Sequence, residues 1–285
     1  MDNSMINNGT IGNSTGNDSV IRYHKIKVAL AQTRIVWEEQ ERNYEEAARR
    51  VGEAAGQKAE AVFFPEMSFT GFSMNTDATR DSSERGIQRM RALAQQYDVS
   101  IGFGWVKDCT RVCGKCENHY TIVDSAGNVL SDYAKLHPFS YAGEDLRFRG
   151  GNALTHFALN RIPCSCFICY DLRFPEIFQA VSGQAHVIVV PANWPAKRRE
   201  HWRALLRARA IENQVYILAV NCAGETGGVT YMGDSCVISP DGEVRAELSG
   251  AEGMILWELT DDVERFRREF PVRQDRRETF YAGLF

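Results

Sequence analysis

The sequence has no long apolar run. Its most hydrophobic stretches, such as Val187–Val190 and Val215–Val220, fall far short of the ~20 residues that cross a bilayer, so neither a membrane span nor a membrane partner is expected. An excess of positive charge is also missing. Lys and Arg number 33 against 37 Asp and Glu, a formal net charge of -4, which speaks against a nucleic-acid partner. Met1–Val20 is rich in Asn, Gly and Ser and has neither the basic start nor the apolar core of a secretory signal, so a cytoplasmic location is expected. In that setting the sequons beginning at Asn8, Asn13 and Asn17 read as accidents of a polar segment. The eight cysteines read as reduced thiols rather than a disulfide framework. Residues 24–285 contain no Pro/Gly/Ser-rich linker, no break in composition and no fixed-period repeat.

What is present is an ordinary globular composition, 44% hydrophobic and 25% charged. The chain divides into a polar tail over 1–23, read as flexible, and a single mixed α/β domain over 24–285. The domain opens with a strand at Lys27–Gln32, a helix at Glu38–Gln57, a strand at Ala61–Phe64, a helix at Ser83–Tyr97 and a strand at Ile101–Val106. Hairpins follow at Tyr120–Val123 with Val129–Tyr133, and at Ser235–Ser239 with Glu243–Leu248. Between them come strand Cys166–Tyr170, helix Pro175–Ser182, strand Val187–Val190, helix Arg199–Asn213 and strand Tyr216–Val220. Strand Met254–Leu259 and a charged helix near Asp261–Glu269 complete the pattern. So many β segments exceed one ordinary sheet and predict two sheets packed face to face with helices outside.

Three motifs point elsewhere. Gly12–Gly16 fits the G-x-S-x-G of serine hydrolases but sits in the polar tail, without the strand and helix that the nucleophile elbow needs. Cys109, Cys113 and Cys116 have a spacing that can hold an iron–sulfur cluster, or zinc with His119, yet they fall in a connection between strands and read as solvent-facing free thiols. The basic stretch around Lys197, Arg198, Arg199, Arg203, Arg207 and Arg209 carries an apolar stripe of Trp202, Leu205, Leu206, Ala210 and Ile211, the pattern of a packed helix. Neither His137 nor His201 is assigned a primary role.

Chemistry concentrates at Cys169, which closes an apolar strand and precedes Tyr170–Glu176, with Pro175 placed to start a helix. A thiol at such an elbow can face a cleft while the backbone N–H of Tyr170 points at the same spot, the geometry of an oxyanion site. The alternative is a small buried core cysteine. Glu66 and Lys135 also stand at strand ends and offer the base and the cation that a nucleophilic thiol requires.

Through PEM at Glu66, YAKLHPF at Lys135, CYDLRFPE at Cys169 and the segment from PANWPAKRREHW to YILAVN, the sequence resembles the nitrilase, or carbon-nitrogen hydrolase, superfamily from about Lys27 to Arg276. The resemblance implies a four-layer α-β-β-α sandwich formed across a homodimer or larger homo-oligomer, with a Glu66–Lys135–Cys169 triad, Glu144 as a second acid, and no cofactor or metal. It implies that Cys169 attacks an amide carbonyl with Glu66 as proton carrier. Lys135 and the Tyr170 N–H hold the oxyanion, and Glu144 holds Lys135 or the substrate amide.

Tyr170 and Asp171 after the nucleophile look like the amidase branches, and CYDLRFPE, YMGDS and FRREFPVRQDRRE are similar to bacterial omega-amidases. These release ammonia from 2-oxoglutaramate or 2-oxosuccinamate. Arg173 could grip a substrate carboxylate with both arms of its guanidinium, or pair with Asp171 or Glu176. Trp194 is a pocket wall or a core residue. The alternatives are an N-carbamoyl amino acid or carbamoylputrescine amidohydrolase and, in another class, a metal- or cluster-binding protein using Cys109, Cys113 and Cys116.

Overall fold

Along Lys25–Gln32, Ile26, Val28 and Leu30 alternate with Ala29 and Ala31, and both sets are buried. A strand covered on both faces lies inside a layered structure. The computed structural model describes residues 24–283. The tail over 1–23, with its Gly12–Gly16 motif and sequons, lies outside them, as do the last two residues.

The first sheet contains β1 (Lys25–Gln32), β2 (Ala61–Phe63), β3 (Ser100–Lys107), β4 (Glu117–Val123), β5 (Val129–Ala134) and, from the far end of the chain, β13 (Gly253–Thr260). Its order is β13-β1-β2-β3-β4-β5, with β1, β2 and β3 parallel. The second sheet takes β6 (Phe157–Leu159), β7 (Ile162–Cys166), β8 (Val187–Ala192), β9 (Tyr216–Asn221), β10 (Ala223–Thr226), β11 (Val229–Ile238) and β12 (Val244–Ser249). Here β7, β8 and β9 run parallel, β10 and β9 pair with β11, and β12 joins β11 as a hairpin.

One face of the first sheet, with Val28, Leu30, Phe63, Tyr120, Ile122 and Tyr133, packs in a common core with β7, β8 and β9 of the second. Its other face, with Ala29, Val62, Ile101 and Phe103, is covered by helices Gln40–Gly56 and Arg85–Tyr97 through Tyr44, Val51, Ile87 and Met90. Helices Pro175–Val181 and Arg199–Asn213 join the core of the second sheet through Phe178, Val181, Trp202, Leu206 and Ala210. Fully burying each large apolar side chain contributes roughly 1.5–3 kcal/mol. The expected two-sheet sandwich is therefore present, with one correction. All four layers, helix, sheet, sheet and helix, are found within a single chain.

Three local expectations also change. The strand placed at Cys166–Tyr170 is Ile162–Cys166, because the backbone turns at Cys169. Ile211, assigned to the apolar stripe, is exposed, while Arg209 is buried and its guanidinium donates to the Leu172 carbonyl. Of the three loop thiols only Cys113 faces solvent. Cys109 is bonded to Glu117 at 3.0 Å, and Cys116 packs with Met67, Val106 and Phe148. His119 is taken up by Asp132 at 2.9 Å and Glu117 at 3.2 Å. Among the described residues no group of three His, Cys, Asp or Glu side chains is arranged to hold a metal ion.

Candidate active site

The C-terminal ends of β2, β5, β7 and β8 converge, as ligand sites do in sheets with parallel strands. Glu66 follows β2 across Pro65, and its backbone passes directly over β3. A Cβ added at Gly104 would lie 2.3 Å from Met67 N and 2.9 Å from the Glu66 carbonyl carbon. Ser68 closes the contact from both sides, its N–H donating to Gly104 O at 2.9 Å and its hydroxyl accepting from Gly104 N at 2.8 Å. Only glycine permits this approach. Gly104→Ala is therefore expected to displace Glu66 and lower kcat by more than about tenfold, with a stability loss of roughly 1–3 kcal/mol from overpacking. Kinetics and thermal unfolding of the variant measure both.

Cys169 has φ +48°, a left-handed conformation that costs an L-residue roughly 1–2 kcal/mol. It opens a tight 3-10 turn, Cys169–Arg173, from which helix Pro175–Val181 departs. The Tyr170 amide lies in the first turn, where N–H groups have no intrahelical acceptor. Asp171, fully buried, is the strut of the turn. Its Oδ2 accepts from Ile168 N at 3.1 Å and Tyr133 OH at 2.8 Å, and its Oδ1 from His137 N at 3.0 Å and the His137 ring at 2.7 Å. Tyr133 and His137 flank Lys135, so one carboxylate ties the Cys169 turn to the lysine segment.

Lys135 Nζ stands 2.8 Å from Glu66 Oε1 and 2.9 Å from Glu144 Oε2, and the three side chains are 1%, 0% and 0% exposed. Burial works against the Lys135 charge, but Glu144 and then Glu66 outweigh it and raise the ammonium above its ordinary pKa. Glu144 is held above the usual carboxylate range by burial first and by the Glu66 charge, against the pull of Lys135. Burial, followed by Glu66, pushes the Cys169 thiol well up, and Lys135 and the Asn193 backbone N–H oppose them. The resting thiol thus keeps its proton. An ammonium has three donors. They meet three carboxylate oxygens, Glu66 Oε1 at 2.8 Å and Glu144 Oε2 and Oε1 at 2.9 and 3.1 Å, and the longest of these contacts is the one an oxygen in the cleft would replace.

Two asparagines absent from the sequence-based site complete it. Asn118 Nδ2 bridges the carboxylates, 2.8 Å from Glu66 Oε1 and 3.0 Å from Glu144 Oε1. The Asn193 backbone N–H donates to Glu66 Oε2 at 2.9 Å. The available sequence signal was Glu117, Asn118 and His119, three consecutive polar residues that are all buried in β4.

Cys169, Lys135, Tyr170, Arg173 and Trp194 all line one cavity of about 130 Å³, closed by Phe72, Phe139, Arg198 and Tyr231. Arg173 has no carboxylate within ion-pair distance among the described residues, so its expected alternative with Asp171 or Glu176 is not formed. Its Nη2 lies 3.2 Å from His201 Nδ1, and its guanidinium stands 4.8 Å from the Trp194 ring. Trp194 is both wall and core: it lines the cavity, packs 5.4 Å from Trp202 and donates Nε1–H to Arg198 O at 2.7 Å. Arg198, which sequence reasoning left in a basic helix, is a second cavity cation without an acidic partner among the described residues.

The sequence profile described as Carbon-nitrogen hydrolase matches residues 27–268. A 2-oxoglutaramate amidase of Bacillus subtilis (strain 168) is 34% identical over 233 residues, covering 80% of this chain and 89% of the relative. Omega-amidase YafV of Escherichia coli (strain K12) is 35% identical over 253 residues, covering 88% and 96%. A CN-hydrolase superfamily protein of Xanthomonas campestris, solved with an arsenic adduct in its active site, superposes with a TM-score of 0.83 at 27% identity, covering 89% of this chain and 97% of its own.

Proposed function

The chain belongs to the carbon-nitrogen hydrolase family and is an amide-cleaving hydrolase, and we propose that it is an omega-amidase that releases ammonia from a short 2-oxo acid amide such as 2-oxoglutaramate. The observation that carries this reading is the pair Arg173 and Arg198, two guanidiniums on one small cavity with no acidic partner among the described residues. A substrate carboxylate loses its water on entering and needs charged donors in exchange. The α-ammonium of an amino-acid amide would meet these cations unfavourably, whereas a 2-oxo group only accepts hydrogen bonds.

As Cys169 Sγ attacks the amide carbon, its proton passes to Glu66. Lys135 Nζ and the Tyr170 N–H hold the tetrahedral oxyanion. Glu66 then protonates the departing nitrogen, ammonia leaves and a thioester remains on Cys169. Glu66 next takes a proton from water, the hydroxide attacks the thioester, and collapse releases the acid and restores the thiol. Glu144 and Asn118 keep Lys135 and Glu66 in register.

The test is Arg173→Lys, which keeps the charge but loses the fork. Turnover of 2-oxoglutaramate should fall by roughly 2–3 kcal/mol in kcat/KM, while a short uncharged amide is hydrolysed as before. An equal fall for both substrates, or a parent enzyme that prefers ureido acids, overturns the assignment.

A further inference from the structure

Besides Cys169, one thiol reaches the reaction centre. Cys222 follows Asn221 at the end of β9, is buried, and places Sγ 3.0 Å from Asn193 Oδ1. Its apolar neighbours Ile35 and Tyr231 form a small cluster with it. Asn193 is bonded twice to one residue, its Nδ2 donating to the Glu66 main-chain oxygen at 2.6 Å and its backbone N–H to Glu66 Oε2 at 2.9 Å. Asn221 holds the next residue in the same way, Oδ1 accepting from Trp194 N at 2.8 Å and Nδ2 donating to Trp194 O at 3.1 Å. Two consecutive residues at the end of β9 therefore clamp two consecutive residues after β8.

A primary amide has a donor side and an acceptor side, and its neighbours must tell them apart. Rotated by half a turn, the Asn193 amide would set its oxygen against the Glu66 carbonyl, two acceptors with no proton between them. The observed orientation needs a donor facing Oδ1, and Cys222 supplies it. Burial, then the Glu66 charge, hold that thiol well above its ordinary pKa, so its proton stays in place.

We propose that Cys222 is a positioning residue for the reaction: its S–H fixes the Asn193 amide, and that amide fixes the main chain of Glu66, whose carboxylate serves Cys169. The inference rests on reading Glu66 as the base. It predicts a loss in the chemical step and little change in substrate capture, since Cys222 does not line the cavity that Arg173 and Arg198 face.

The experiment compares Cys222→Ala, Cys222→Val and Cys222→Ser with the parent on 2-oxoglutaramate, in the natural background and with Asn193→Ala. The donor-free variants should lose about tenfold in kcat, the worth of one buried hydrogen bond, with KM within about twofold. Serine, which still donates, should recover most of the loss. With Asn193→Ala already present, Cys222→Ala should cost nothing further. A serine variant as slow as the donor-free ones that fold, or losses that multiply with Asn193→Ala, would make Cys222 a core filler and overturn the proposal. Parent turnover that survives Cys169→Ala would instead overturn the underlying reading of nucleophile and base.

Discussion

Cys169→Ala should abolish ammonia release, with kcat down by at least about 10⁴-fold, because no other group in the cavity can carry the acyl intermediate. The fold should survive. The sulfur lines the cavity, and the turn is held by Asp171 through Ile168, Tyr133 and His137 rather than by the thiol. Unfolding midpoints of variant and parent should therefore agree within what ~1 kcal/mol produces. Cys113→Ala, at the exposed thiol, should leave both activity and stability unchanged. Hydroxylamine added to the parent should divert the product to a hydroxamate, as it captures a thioester. Full activity without the Cys169 sulfur would refute the covalent route.

Lys135→Met should damage both activity and stability. Loss of an oxyanion donor lowers kcat by about 10²–10³-fold. Glu66 and Glu144 would also be left buried and facing each other without the ammonium, and breaking a buried ion pair costs about 3–5 kcal/mol. The pH dependence has a definite sign. A carboxyl whose folded pKa is raised binds its proton more tightly in the folded state, so its contribution is full at acid pH and fades as pH rises through the raised value. Glu144 is already raised with Lys135 in place, by burial and then by Glu66. Without the ammonium, the variant's stability deficit should be smaller near about pH 5 than near about pH 8. Denaturant titrations at the two pH values measure it, and a deficit that does not change with pH would mean that the carboxylates are not the cause.

That Glu66, Lys135 and Cys169 belong to one site was legible because each stands at a strand end inside a run of unusual residues, where a one-dimensional pattern already implies a projecting side chain. Glu66, Lys135 and Cys169 need only a strand and its end to be located. Asn118, Asn193 and Arg198 were not legible, because their roles are relations across space. Asn118 meets Glu66 across 52 positions, and Asn193 meets it across 127. In the sheets, the hairpin strand was placed at Tyr120–Val123, whereas β4 begins at Glu117 and takes in Asn118 and His119. They are buried strand residues, with His119 held by Glu117 and Asp132 and Asn118 by the two site carboxylates. Similarly, Pro163 and Ser165 disguised β7, which moved the predicted strand onto the turn that carries Cys169. The short β6 and β10 have too few residues to show an alternation.

The pairing of β1 with β13 has a consequence for how the chain reaches this state on the ribosome. Their partners lie at opposite ends of the described sequence, with Lys25 bonded to Glu258 across 233 positions. At synthesis rates of about 10 residues per second, β1 waits about 20 s before its neighbour on that side exists. During that interval its backbone donors and acceptors and the alternating Ile26, Val28 and Leu30 form an open edge, the kind of surface that recruits strands from other chains. Chains that stop before Gly253 never close it. Truncated products should therefore aggregate or be taken up by chaperones even though the residues gathered around Cys169 have all been made.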